Sequence, residues 1–393
     1  MRVLFVQWTG EYREAYQRLA AGGKENYRSQ RYCVDAVGSV ASHFGGEVTQ
    51  LAYITEGQHD EVMANGVRSI GLGFASPAVD MRQVVERVAA CRPTHLVQRC
   101  LSREVIRWAA NAGVRVLCTF AESREVGGLR HWWRNRVIAR LLNRPEVEWV
   151  GNHQVPASRW LSEVGVRPEK VVPYDFLAEY TPESYAVKEL GRSSADWTLA
   201  FVGTICDGKG VPDIVEAVAR LTRDGFPVRA KLAGSGQIEE YRKDAAARGV
   251  ADRVEFLGRI PNVAALGLMH DADLVLVPSR YDYTEAFPFT IVEAFTSRTP
   301  LVASDHPMFR DKVRHGVTGL VCPAGDAAAL AGRIREALTN AGLYKTLSEN
   351  SLGAWRGMQI PVHWSELVTR WLEDTPASRE WMRSHALGSG RYD

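Results

Sequence analysis

The chain has no Cys-x-x-Cys pair, no long apolar run and almost no net charge, and each absence removes a class of function. Its six cysteines, Cys33, Cys91, Cys100, Cys118, Cys206 and Cys322, are scattered. Scattered thiols speak against a zinc site or a thioredoxin-like motif and point to a reducing compartment. No stretch approaches the roughly 18 apolar residues that a membrane-spanning helix needs. The opening MRVLFVQWTGEYRE has neither a long apolar segment nor a small-residue cleavage site, so no secretory leader is expected. With 48 basic and 46 acidic residues the formal net charge is +2. Phosphate backbones select strongly basic surfaces, so nucleic acid is not expected as a partner. Internal repeats and low-complexity segments are also missing. These absences leave a cytoplasmic globular protein as the expectation.

What is there is a core-forming composition. Of 393 residues, 46% are hydrophobic and 24% charged, a length for about two to three domains. Short apolar runs alternate with amphipathic stretches from end to end. The first half offers strands at 2–8, 47–54, 67–73, 94–98, 115–120 and 147–152, with helical patterns such as 81–91 and 102–113 between them. The second half offers strands at 197–204, 228–236, 254–260, 274–280, 301–305 and 319–323, with helices near 211–224, 238–248, 290–298 and 326–340. Near-continuous Val/Leu strands alternating with helices predict parallel sheets covered on both faces. Two such series predict an α/β protein of two doubly wound domains, residues 1–180 and 190–345. The polar stretch 178–197 joins them, a C-terminal helix over 355–375 packs back on the first domain, and residues 376–393 form a fraying tail. In open parallel sheets ligands bind where strands end at their carboxyl edge, so the motifs are sought there.

Four stretches sit at such ends. FVGTICDGKG (201–210) is a strand ending in Gly203, then a loop with Lys209, then a helix. A lysine at a helix N-terminus suits a diphosphate, although an ordinary strand–helix turn explains the stretch too. KLAGSGQ (231–237) and FLGRIPN (256–262) read as glycine turns after strands, the second also able to present backbone groups to a base. EAFPFTIVEAF (285–295) holds two glutamates, Glu285 just past a strand and Glu293 on a helix. Thr290 as N-cap with Glu293 at the third helical position fits a capping box. Equally, a carboxylate accepts two hydrogen bonds and suits a ribose diol or sugar hydroxyls. Asp271 and Asp273 form an Asp-x-Asp pair directly before a strand and read as structural rather than metal-binding.

The ordered set FVG…KG, LAGSG, FLGRI, ADLVLVPS, E-x-F-x5-E and HGVTGLVCPAGD, over roughly residues 197–340, resembles the second domain of glycosyltransferase family 4. Gly22-Gly23-Lys24-Glu25 resembles that family's glycine-rich donor loop in the first domain, and 150–173 its last first-domain segment. The resemblance implies the GT-B fold, two Rossmann-like domains facing across a cleft, and transfer of a sugar from a nucleotide diphosphate, UDP by default, to a hydroxyl acceptor. It implies retained anomeric configuration and neither metal nor cofactor. By position, Lys209 would neutralise the leaving diphosphate and Glu293 would hold the ribose hydroxyls. Glu285 would fix the transferred sugar, and backbone around Phe287, Phe289 and Thr290 would meet phosphate or sugar. Arg259 and Ile260 would lie near the base. Gly22 and Gly23 would let the first domain close on the phosphates, with Gly203 and Thr204 on the opposite side.

The sequence also departs from the family. Thr204 stands where an arginine is usual. Ala121 stands near the place of a first-domain histidine, with Glu122 beside it as the candidate replacement. Pro288 removes a backbone donor, and PYDFLAEY (173–180) replaces an Asn-Gly. A nucleotide-sugar-binding subunit without catalysis and a GT-B-like nucleotide-sugar epimerase are therefore carried as alternatives. Finally, LRHWWRNRVIARLLNR (129–144) has five arginines and no acid. Arg136, Arg140 and Arg144 fall on one helical row with Val137, Leu141 and Leu142 as apolar neighbours. Such a helix either packs on its domain with a solvated basic side or lies peripherally on an anionic inner-membrane surface, as suits a lipid-linked acceptor. A glycan or a small molecule is the other acceptor class.

Overall fold

A computed structural model describes residues 1–26, 29–76, 78–121, 128–177, 180–191, 196–283, 285 and 288–392, with backbone alone over 128–133. The chain divides into two compact units: unit 1 is Met1–Leu177 with Ile360–Asp393, and unit 2 is Ala178–Gln359.

Unit 1 is built on an eight-stranded sheet. Its strands are β1 (Arg2–Gln7), β2 (Glu47–Ile54), β3 (Gln58–Val62), β4 (Val67–Phe74), β5 (His95–Gln98), β6 (Arg115–Phe120), β7 (Val147–His153) and β8 (Val171–Tyr174). Their order is β3-β4-β2-β1-β5-β6-β7-β8. All neighbours run parallel except β3, which pairs antiparallel with β4. The sequence reading found neither β3 nor β8. β3, QHDEV, is polar and almost wholly exposed, as an edge strand should be. β8 carries Pro173, which is tolerated because β8 is the opposite edge.

Unit 2 holds a six-stranded sheet of β9 (Trp197–Val202), β10 (Val228–Ala233), β11 (Val254–Gly258), β12 (Leu274–Val277), β13 (Leu301–Ser304) and β14 (Leu320–Cys322). The order is β11-β10-β9-β12-β13-β14, parallel throughout. All four residues of β12 are buried, and they alternate between two cores. Leu274 and Leu276 join the helix Val211–Arg223, while Val275 and Val277 join the helix Phe289–Thr296. A strand covered on both faces must read as a continuous apolar run, which is why LVLV is legible.

The C-terminal region differs from expectation. Residues 355–375 do not form one helix: Ala341–Gly357 lies in unit 2 and Trp364–Glu373 in unit 1. Trp364 is fully buried, donates its indole N–H to Thr119 Oγ1 at 3.1 Å, and has the Arg99 guanidinium 4.5 Å above its ring. Residues Pro376–Ser384 form a helix rather than a frayed tail. Thr375 caps it by accepting from Ser378 N–H, and Met382 and Ala386 are buried in unit 1. The apolar residues are spaced too sparsely there to stand out against their arginine neighbours.

Lys188 fixes the entry to unit 2. Its ammonium donates to the carbonyls of His270 and Ala272, at the C-terminal end of the helix Asn262–Asp271, and to Thr299 Oγ1 at 3.1 Å. Burial pushes this amine down to about 8. Between there and the ordinary lysine value near 10.4, the unfolded chain holds a proton that the folded chain has released. The Lys188 contribution to stability therefore rises with pH across that window. Against a Lys188→Met variant, the wild type is expected to gain roughly 1–3 kcal/mol between about pH 8 and 10.5 in urea unfolding. A difference that stays constant with pH removes the buried-ammonium account.

Candidate functional site

The strand order of unit 2 creates a switch point between β9 and β12, where open α/β sheets bind ligands. The loop leaving β9 is held tightly. Gly234 (φ +152°) lies so close that a Cβ there would sit 1.7 Å from Gly203 O, so the LAGSG turn is a backbone-on-backbone contact. Gln237 N–H donates to Ile205 O at 2.8 Å and completes it. Asp207–Lys209 form a single helical turn. Gly210 (φ +73°) then starts the helix Val211–Arg223, and a Cβ there would lie 2.2 Å from Pro278 O. Tyr241 OH donates to Asp207 Oδ1 at 2.5 Å, and Arg280 N–H donates to Gly208 O at 2.7 Å.

This clamping delivers Lys209 to Glu285, 76 residues away, with Nζ donating to Oε1 at 2.6 Å. The two side chains are only 17% and 7% exposed. Ser279 Oγ donates to the same carboxylate oxygen, and the Tyr283 ring centroid lies 4.5 Å from the ammonium. Thr204 is exposed beside Gly203 at the end of β9. Arg280 does not take the role of the arginine absent at that position, because Asp213 grips its guanidinium through both oxygens at 2.7 and 2.9 Å.

The capping box is not formed. Pro288 is the N-cap, with Ile291 N–H donating to Pro288 O at 3.0 Å, so Thr290 falls inside the first turn. Thr290 Oγ1 instead donates to Val202 O at 3.2 Å and ties the helix to the end of β9. The helix starts early because Pro288, lacking an N–H, suits a position whose N–H has no helical partner. Glu293, 9% exposed, is thereby released from capping and accepts from Asn262 Nδ2 at 2.8 Å. Arg259 (exposed) and Ile260 (half-buried) follow β11, immediately before Asn262, and Phe289 is exposed at the helix start. Phe287 lies outside the described residues. Unit 2 thus brings Lys209 to Glu285 and ties Thr290 to the β9 end at Gly203. Asn262, which joins Glu293 to the Arg259–Ile260 segment, was missed from sequence. Among the described residues no three His, Cys, Asp or Glu side chains cluster to hold a metal ion. Asp273 instead accepts from Thr198 N–H at 2.7 Å.

In unit 1 Gly22 and Gly23 lie between β1 and the helix Gln30–Phe44, at the end of a helix, Tyr12–Ala20, that the sequence reading had not placed. Gly22 has φ +78°, and Gly23 N–H donates to Arg18 O at 2.8 Å, which closes the last turn. Ala121 is exposed after β6, and Glu122 lies outside the described residues. A different acidic group stands on this sheet's carboxyl edge. His153 Nε2 and Asp175 Oδ1 are 2.9 Å apart and both buried, and the Gln154 amide donates to the other Asp175 oxygen. The signal was PYDF in place of Asn-Gly. In the arginine-rich helix, Gly128–Leu142, Leu141 and Leu142 are core residues, while Arg136 and Arg140 are exposed. Arg144 turns back to donate to Asn111 Oδ1 at 2.7 Å. Of the flanking Val137, Leu141 and Leu142, Val137 is exposed and the two leucines are buried. Among the described residues no helix is long and apolar enough to cross a membrane.

Comparison with known proteins agrees with this geometry. Residues 186–352 match the family model described as Glycosyl transferases group 1. Alpha-D-kanosaminyltransferase of Streptomyces kanamyceticus is 34% identical over 157 residues, 38% of this chain and 39% of that one. Phosphatidyl-myo-inositol mannosyltransferase of Mycobacterium leprae is 28% identical over 219 residues, 54% of this chain and 53% of that one. The matches thus span only about two fifths to one half of these relatives. Among solved structures, Anabaena HepE in complex with UDP-glucose superposes with TM-score 0.62 at 17% identity, covering 96% of this chain and 100% of that one. Sucrose-phosphate synthase of Thermosynechococcus elongatus gives TM-score 0.64 at 17% identity, covering 95% and 98%. The chain has the GT-B fold of these neighbours, two Rossmann-like α/β domains.

The tight approach at Gly210 has a measurable consequence. Gly210→Ala is expected to destabilise by about 2–4 kcal/mol in urea unfolding, combining a left-handed backbone with a steric clash. Gly225 is also left-handed (φ +69°), but nothing lies within 4 Å of its would-be Cβ. Gly225→Ala is expected to cost only about 1 kcal/mol. Equal losses at the two positions count against the clamped loop.

Proposed function

We propose that the chain is a retaining, metal-independent glycosyltransferase that moves a sugar from a nucleoside diphosphate donor to a hydroxyl acceptor. The observation that carries this reading is the Lys209–Glu285 contact beside the β9/β12 switch point. The match over 186–352 and the names of the relatives support the same class. UDP is the default nucleotide, supported by the UDP-glucose bound in the HepE neighbour.

Lys209 and the N-terminus of the helix Phe289–Thr296 supply positive potential for a diphosphate. The bond from sugar C1 to the diphosphate oxygen breaks, and a bond from C1 to the acceptor oxygen forms. The acceptor proton leaves with the nucleoside diphosphate. Charge accumulates on the departing oxygens, which fixed donors can stabilise without a metal ion. Glu285 holds sugar hydroxyls and Glu293 the ribose hydroxyls, each as a hydrogen-bond acceptor. Gly203, Thr204, Arg259, Ile260, Phe287, Phe289 and Thr290 complete the donor side. Gly22 and Gly23 belong to the acceptor-side domain, and Glu122 is its candidate polar contact to the sugar. The acceptor is a glycan, a lipid-linked glycan or a small molecule. Any peripheral contact with anionic lipid runs through 129–144, where Arg136 and Arg140 are exposed. Six unpaired thiols suit a cytoplasmic setting.

One observation favours a second reading. An exposed Thr204 in place of a phosphate-binding arginine suits a subunit that binds nucleotide sugar without transferring it. Incubation with a radiolabelled nucleotide sugar separates the readings: a transferase releases nucleoside diphosphate with acceptor, an epimerase converts the donor without one, and a binding subunit does neither. Glu293→Ala is expected to weaken nucleoside diphosphate affinity at least about tenfold, unchanged by EDTA. Glu285→Ala is expected to lower kcat by about a hundredfold or more with a smaller change in nucleotide affinity. Calorimetry with UDP, GDP and ADP checks the first; unaltered affinity in Glu293→Ala removes this residue from the donor site.

A further inference from the structure

We infer that Asn262 is a positioning residue that makes the nucleotide site select ribose over 2′-deoxyribose; this rests on the proposal that Glu293 receives the ribose hydroxyls. Two elements meet at this pair. Glu293 projects from the helix Phe289–Thr296, and Asn262 opens the helix Asn262–Asp271. Pro261 as N-cap sets where that second helix begins, with Ala265 N–H donating to Pro261 O at 3.0 Å. The Asn262 side chain, half-buried, is thereby presented to Glu293, and its Nδ2 donates to Oε1 at 2.8 Å.

The contact does two things. A carboxylate at the end of a glutamate side chain rotates freely about its last torsion, and a single fixed donor to one oxygen selects one orientation. A carboxylate has about four acceptor sites, so receiving the amide leaves capacity for ribose hydroxyls. Asn262 is also an amide rather than a cation. Its contact therefore brings no charge of its own beside the carboxylate. The same short segment carries Arg259 and Ile260, so a shift in Asn262 would be felt at the base side and the ribose side together. A 2′-deoxy nucleotide lacks one hydroxyl that an oriented carboxylate would otherwise receive, and the site's preference for ribose is the quantity that reports orientation.

The test uses the full chain and matched pairs, UDP with 2′-deoxy-UDP, GDP with 2′-deoxy-GDP and ADP with 2′-deoxy-ADP, titrated calorimetrically alongside inorganic pyrophosphate. The wild type is expected to prefer the ribonucleotide of one pair by about tenfold or more. Asn262→Ala and the near-isosteric Asn262→Leu are expected to reduce that preference to about threefold or less while pyrophosphate affinity stays unchanged. Glu293→Gln serves as the reference for the underlying reading. If Glu293→Gln loses the preference and both Asn262 variants keep it, the inference about Asn262 is overturned and the Glu293 assignment stands. If Glu293→Gln keeps the preference, or no pair binds the wild type, the Glu293 assignment fails and the inference fails with it. If the Asn262 variants weaken pyrophosphate and both nucleotides equally, the residue is structural and the inference is likewise overturned.

Discussion

β9 is hydrogen-bonded to β10 on one side and to β12 on the other, and the rest of the unit 2 site depends on that seam. The helix that follows β9, Val211–Arg223, covers one face of the sheet, and the helix after β12, Phe289–Thr296, covers the other. The two loops must therefore part at the carboxyl edge. Parted loops leave a crevice with backbone groups on both sides. Four clamps at the site span this gap: Arg280 N–H to Gly208 O, Gly210 against Pro278 O, Thr290 Oγ1 to Val202 O, and Lys209 to Glu285. Each joins the β9 side to the β12 side. The crevice is thus held open at a set width rather than left to the side chains that fill it.

The Lys209–Glu285 pair is not a stabilising device on physical grounds. A half-to-fully buried ion pair gives back in attraction about what it costs in desolvation. Its arrangement makes better sense as preparation. The ammonium is already stripped of much of its water, with an aromatic face on one side and a carboxylate on another. Ser279 donates to the same Glu285 oxygen, so that carboxylate keeps a donor when the lysine turns to another anion. On the proposed donor reading, a diphosphate, which carries more charge than one carboxylate, would compete for the ammonium on favourable terms. Glu285 would then be left oriented by Ser279 and able to accept from sugar hydroxyls.

Most of the fold was legible because a sheet covered on both faces favours apolar runs, as in β1, β9 and β12. The two strands that escaped are the edges of the unit 1 sheet: β3, which is charged and exposed, and β8, which is buried but only four residues long and carries a proline. At the site, Lys209, Glu285 and Glu293 were singled out from the sequence, and the structure pairs Lys209 with Glu285 and Glu293 with Asn262. The capping box was one of two readings left open for Glu293, and it fails because the helix starts at Phe289 with Pro288 as its N-cap. Asn262 could not be singled out, since an asparagine after Pro261 is also an ordinary helix start. Its partner lies 31 residues away, and that distance closes only in three dimensions. The C-terminal helix Pro376–Ser384 escaped because its buried face is narrow and its surface is rich in arginine.

The carboxyl edge of unit 1 shows a different kind of constraint. Gln154 adopts φ +68° and ψ 160°, a region that glycine occupies readily and other residues only at about 1–3 kcal/mol. The conformation persists because its surroundings over-determine it. Gln154 N–H donates to Tyr174 O at 2.9 Å, its carbonyl accepts from Ser158 N–H at 3.1 Å, and its side-chain amide reaches Asp175. Asp175 in turn holds His153 and accepts from Phe176 N–H at 2.7 Å. A buried carboxylate with this many donors is costly to move, so the strained turn between β7 and the helix Val155–Glu163 is fixed by it. Of these residues, Asp175 and Phe176 belong to PYDFLAEY, the stretch that stands in place of the Asn-Gly of the family the sequence resembles. The strained turn at Gln154 and the buried Asp175 thus hold one another in place at this edge.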